Sequence, residues 1–227
     1  MEFFQTPEFW IGLMKIIWIN IILSGDNAVV IALAARGLPA SQQRKAVLFG
    51  SGAAVVLRIV LTVVAVRLLA MPYLQIVGGL LLLYIGVQLL SEQDDGEGEE
   101  KHHTTLFAAI RTILIADLVM SLDNVIGVAA AAKGSMFLLV LGLAISIPLV
   151  VFGSTMMIRL MERYPFIVTL GAALIGWVGG ETVTSDTSLH DLVVANEWLH
   201  SLGPVVGAAL VLGLGRMLQK RGQPAHE

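Results

Sequence analysis

Seven stretches of this chain stay apolar for long enough to cross a lipid bilayer, which narrows the possible folds more than any other feature. A membrane span needs roughly 20 mostly apolar residues. Runs of that kind lie at about 9–35, 42–69, 72–90, 105–132, 136–161, 166–184 and 203–218, the last of them short and rich in glycine. Lipid offers no hydrogen-bond partners, so each run has to satisfy its own backbone as a helix. The expected fold is an all-α polytopic membrane protein with seven transmembrane helices.

The balance of residue types agrees. The chain is 56% hydrophobic and only 14% charged, where soluble domains carry about a quarter. It has no cysteine, which excludes disulfides and thiolate metal sites. The start, "MEFFQTPEFW", lacks a basic stretch before the first apolar run, so it is expected to lead into a retained span and not a cleaved signal. Basic residues set the orientation. With the N-terminus outside, inner loops and tail collect Arg36, Arg44, Lys45, Lys101, Arg159, Arg163, Arg216, Lys220 and Arg221, while Arg67 and Lys133 fall outside. That asymmetry places the C-terminus in the cytoplasm, in the cell (inner) membrane. The segment "LHDLVVANEWLH" (189–200) suits lying flat on the outer interface.

The chain also repeats itself. A slide of 97 pairs "NIILSGDNAVVIALAARG" (20–37) with "DLVMSLDNVIGVAAAAKG" (117–134), so that Ser24 meets Ser121, Asp26 meets Asp123 and Asn27 meets Asn124. A slide of 92 or 93 then pairs Gly50 with Gly142, Arg67 with Arg159, Pro72 with Pro165, Gly78 with Gly171 and Gln88 with Glu181. Each unit holds three spans, and an odd number sends the second copy into the membrane from the opposite side. Inverted repeats of this kind are typical of secondary transporters, whose substrate site lies near the midplane between the halves. The chain is thus expected to divide into a three-helix unit (1–90), a linker (91–103), an inverted three-helix unit (104–185), and a closing part (186–227). The closing part holds an outer segment, a seventh helix and a basic tail. The linker "SEQDDGEGEEKHH" is acidic and reads as a solvated cytoplasmic connection, with His102 and His103 at most a loose cation trap.

Two Asp-Asn pairs at membrane depth call for a reason. On a straight helix Asp117, Met120, Asp123 and Asn124 fall within an arc of about 120°, and Asn20, Leu23, Asp26 and Asn27 repeat the pattern. Facing each other, the two arcs enclose Asp26, Asp117 and Asp123 with Asn20, Asn27 and Asn124. Oxygen donors of this kind suit Mg²⁺, Ca²⁺ or Mn²⁺, whereas zinc or copper would recruit Cys or His. Met120 adds one softer atom that favours Mn²⁺ if it faces the cargo; otherwise it is ordinary core. Gly25 can loosen the first helix and free backbone carbonyls. Ser and Asn also serve as glue between helices. An ionised carboxylate, however, costs about 2.5–3.5 kcal/mol at the centre of a span, which points to function. Ser24, Ser121 and Glu181 are further candidates for the metal or for proton coupling, although Glu181 is equally an interfacial acid reaching water. Arg58, in the second span, has Val150 as its repeat mate, and either pairs with one of the acids or snorkels. Pro148 is expected to kink the fifth span.

"SGDNAVVIALAARGLP" and "ADLVMSLDNVIGVAAAA" resemble the paired signatures of the TerC integral membrane family, in its short form without soluble domains. The resemblance runs over roughly residues 8–218 and carries over to Asp26, Asn27, Asp117, Asp123 and Asn124. It implies kinship with small exporters built from inverted three-helix units, and manganese efflux as the activity. The first unit has Asn20 where the second has Asp117, so the site is only pseudo-symmetric. The function expected is export of a divalent cation, foremost Mn²⁺, by alternating access in exchange for protons. Mn²⁺ is then cargo and no prosthetic group is needed. The partners are the metal ion, the bilayer and protons, with no nucleic acid. Two other classes fit the acids less well: an intramembrane aspartyl protease, which needs a carboxyl dyad sharing one proton, and a non-transporting metal sensor or scaffold working through the His-His linker.

Overall fold

The computed structural model describes residues 7–23, 25–69, 71–91, 105–132, 135–196 and 198–222. Ser24 and all of the acidic linker but Ser91 lie outside the described residues, as do the side chains of Asn20 and Asp123. The described residues form α1 (Pro7–Leu23), α2 (Gly25–Ala35), α3 (Ala40–Leu69), α4 (Leu74–Ser91) and α5 (Leu106–Ala132). They continue with α6 (Met136–Arg163), α7 (Phe166–Thr184), a 3₁₀ turn (Thr187–Leu189), α8 (His190–Ala195) and α9 (Trp198–Gly222). Pro148 is accommodated inside α6.

Five of these helices, α3, α4, α6, α7 and α9, are long and apolar enough to cross a membrane singly. α5 qualifies when its arms, Leu106–Leu122 and Asn124–Ala132, are taken together, and they meet at 64°. The first run is described as α1 and α2, with Ser24 between them outside the described residues. The bend of α5 falls inside the second Asp-Asn motif. Asp and Asn are weak helix formers because their short polar side chains compete for backbone hydrogen bonds. At the first motif that competition is visible, since Asp26 Oδ1 accepts the Asn27 amide at 2.8 Å.

α2 sits at the centre. Residues 27–35 are all buried, and the helix is packed by α3, α5, α6 and α7. A helix covered on every side belongs to the interior. Around it α3 lies on α5, α1 on α6, and α4 on α7. Gly50 of α3 receives Ile113 of α5 so closely that a Cβ there would sit 2.8 Å from the Ile113 Cδ1. Gly142 of α6 receives Ile16 of α1 in the same way. Gly50 and Gly142 are repeat mates under the slide of 92, and Ile16 and Ile113 under the slide of 97.

α9 is longer than the 203–218 run suggested. Its early turns lie against α7 backbone to backbone, with Gly203 and Gly207 meeting Gly180 and Gly176. At one end of the bundle Arg36 donates to the Leu89 carbonyl (3.0 Å) and Gln219 to the Leu90 carbonyl (2.6 Å), tying α2 and α9 to the last turn of α4.

The opposite end is held by Asp186. Its carboxylate accepts the backbone amides of Tyr73 (3.0 Å), Gln75 (3.0 Å) and Ile76 (3.2 Å), capping α4 from 110 residues away in sequence. It also accepts the Ser188 amide (2.8 Å) and hydroxyl (2.6 Å). The turn it holds contains Tyr73 at φ 67°, a left-handed conformation unusual for a bulky residue. Burial alone would raise the pKa of Asp186, but hydrogen bonds from Ser188, Tyr73 and Ile76 outweigh it and hold that pKa at about 2. The folded value lies below the ordinary 3.8. The stabilisation is therefore complete above that ordinary value and lost as pH falls through the lower one. Asp186→Ala strands three helix-start amides and is expected to cost about 2–4 kcal/mol. Thermal unfolding in detergent at pH 7 measures it, and between pH 4 and 2 the variant should lose less stability than the parent chain.

Candidate functional site

The first motif opens α2. Asp26 stands in the first described turn of that helix, half-buried. Asn27, one residue on, is 3% exposed. Gly25, just before them, has open space around its α-carbon.

Opposite stands the second motif helix with a resident cation. Arg58 of α3 donates from Nη2 to Asp117 Oδ1 at 2.6 Å and from Nε to Ser121 Oγ at 3.0 Å. Ser121 in turn donates to Asp117 Oδ2 at 3.2 Å. All three side chains are buried. The triangle is closed, and both oxygens of Asp117 are engaged from within the chain. Asp26 lies within electrostatic reach of both Arg58 and Asp117. Of the two roles open to Arg58, the structure selects pairing with an acid.

The remaining candidates divide. Met120 packs in the central apolar cluster with Val29, Leu33, Ile113 and Val119, so its thioether is core here. Asn124 is half-buried on the short arm of α5, beyond the bend. The bend also means that Asp117 and Met120 do not share a straight helix face with Asp123 and Asn124, as a continuous helix would have had it. Glu181 is exposed near the end of α7. Ser24 and the side chains of Asn20 and Asp123 lie outside the described residues. Among described residues no three His, Asp or Glu gather closely enough to hold a metal.

One group escaped the sequence. Ser154 of α6 is fully buried, and its hydroxyl has no partner among the described residues. Its neighbour Gly153 abuts Ala28, just after Asn27. The only signal for it is its repeat mate Thr62, a second hydroxyl, which donates to the Arg58 carbonyl at 2.7 Å. Taken together, the described side chains form a buried, oxygen-bearing junction on helices that include the bent α5, with one fixed positive charge.

The profile of the integral membrane protein TerC family matches residues 5–223. The membrane protein YjbE of Bacillus subtilis (strain 168) is 43% identical over 205 residues, 90% of this chain and 94% of that one. The membrane protein YkoY of the same organism is 26% identical over 212 residues, covering 85% of this chain and 65% of that one. The inner membrane protein YoaE of Escherichia coli (strain K12) is 24% identical over 246 residues, where this chain spans 46% of the longer protein. No solved structure matches. With five to six spans among the described residues and this profile along nearly its whole length, the chain is a multi-pass membrane protein and belongs to the TerC family.

Proposed function

We propose that the protein is a secondary transporter that exports a divalent cation, foremost Mn²⁺, across the inner membrane by alternating access. The observation that carries this reading is the 64° bend of α5 at the second Asp-Asn motif, on a helix packed against the one that carries the first motif. Broken helices are tolerated at membrane depth where they line a site, and their freed ends bind ions there. The matched contacts of Gly50 with Ile113 and Gly142 with Ile16 support two inverted three-helix units. On this reading α1 and α2 form one broken span, and seven cross the membrane with the N-terminus outside. Cargo is held by Asp26, Asn27, Asp123 and Asn124, beside Asp117.

Moving two positive charges outward against about 100–150 mV costs roughly 5–7 kcal/mol, and protons entering down the same potential offset it. The carboxylates carry either a metal ion or protons, which makes the exchange reversible at one site. Proteolysis fits less well, because Arg58 and Ser121 occupy both oxygens of the acid that would have to share a proton with Asp26.

Purified protein in liposomes tests the proposal. Mn²⁺ flux should rise with an opposing proton gradient. Flux that ignores pH removes the exchange, and no flux of any divalent cation removes the transporter. Deleting residues 92–103 separates transport from sensing: flux should stay within about threefold of the full chain, as expected for a flexible connection between two packed units.

A further inference from the structure

The Arg58–Asp117 pair has a counterpart in the other half of the chain, and the counterpart carries no charge. The slide of 92 takes Arg58 on α3 to Val150 on α6, and the slide of 97 takes Asn20 on α1 to Asp117 on α5. α3 lies on α5 as α1 lies on α6, with the two glycine–isoleucine contacts at matching positions. Where α3 and α5 hold a cation and an anion, the matching sequence positions in the other half are a valine and an asparagine. Each pair sums to zero.

We propose that Arg58 and Asp117 form a lasting, charge-neutral unit beside the cargo site. Asp117 is then a positioning residue that anchors the long arm of α5 and not a ligand of the cargo. The inference rests on the transporter reading above and sharpens it. It explains why a site named for three acids contains a buried guanidinium. The unit is built well: a 2.6 Å ion pair with 6% and 8% of the two side chains exposed, closed by Ser121 on both partners. A buried pair with its hydrogen bonds satisfied is tolerated, and neutral replacement of both partners is tolerated too. Removing one partner leaves an uncompensated charge. Here that charge would act on Asp26, which lies within reach of both. A lone Arg58 would repel the cargo; a lone Asp117 would add a third negative charge and slow its release.

The test uses the full chain with Arg58→Val, Asp117→Asn and the double variant Arg58→Val/Asp117→Asn, which introduces the residue types of the repeat mates Val150 and Asn20. Mn²⁺ flux in liposomes and melting temperature in detergent are read for each. Each single variant should lose at least about tenfold in initial rate and the double return to within about threefold of the parent chain, a coupling within the range for residues in contact. The double should also melt above both singles. A double variant as inactive as Asp117→Asn overturns the inference, because Asp117 is then a ligand that cannot be replaced. A double variant that does not fold overturns it as well, since a neutral unit should be easier to lose whole than by halves. If the parent chain carries no Mn²⁺ the transporter reading falls separately, and the order of melting temperatures still decides the pairing.

Discussion

Gly180→Val should cost the protein its fold. A Cβ at Gly180 falls on the Gly203 carbonyl oxygen and lies 3.1 Å from the Pro204 α-carbon, and one at Gly207 falls on the Gly176 carbonyl oxygen. At Gly176 it would lie 2.6 Å from the Gly207 oxygen and 2.8 Å from the Ala208 α-carbon. Every obstacle is backbone, so no side chain can swing aside. Small residues four apart on two helices allow this approach, and in lipid the close packing itself drives association because the hydrophobic effect between helices is absent. Valine would push α7 and α9 apart along the whole seam and also strain the α4 contacts of Gly179, whose Cβ would meet the Gly79 oxygen at 3.0 Å. The expected loss exceeds about 3 kcal/mol, above the usual range for overpacking, since the fault lies between main chains. Gly213→Val on the same α9 is the control: nothing lies within 4 Å of its added carbon, and its melting temperature should barely move. Equal losses at Gly180 and Gly213 would mean the seam contributes no more than helix propensity.

That seam was written in the sequence as two pairs of glycines four apart, yet it went unread. Glycine is nearly neutral in hydropathy, so it shortened the apparent last span to 203–218 and made it look weak, where the glycines in fact adapt α9 to α7. The other spans were legible because roughly 20 apolar residues leave a backbone in lipid no alternative to a helix. The 64° bend at Leu122–Asn124 was not legible, because no Gly or Pro sits there and a helical wheel presumes a straight axis. Arg58 left pairing with an acid and snorkelling both open, because three acids were available and the partner lay 59 residues away on another helix. Asp186 gave no sign at all: its main partners are backbone amides, which every residue but proline carries.

Asp26→Asn and Asp123→Asn should each lower Mn²⁺ flux by at least about 100-fold, or about 2.8 kcal/mol at 1.4 kcal/mol per tenfold. The replacement keeps the shape of the side chain and removes its charge, so what is lost is attraction for a divalent cation and the capacity to carry a proton. Stability should move the other way. An ionised carboxylate near the middle of a span costs about 2.5–3.5 kcal/mol that a carboxamide largely avoids, and Asp26 accepts the amide of its own neighbour Asn27. The variants should therefore melt at the parent temperature or above it while transport collapses. If the acids were glue between helices, the two readouts would fall together, because removing a structural hydrogen bond weakens the fold before it touches any cargo. Opposite signs in flux and melting temperature are what a destabilising charge kept for its function must produce. A variant that melts early and still carries Mn²⁺ would return these acids to a structural role.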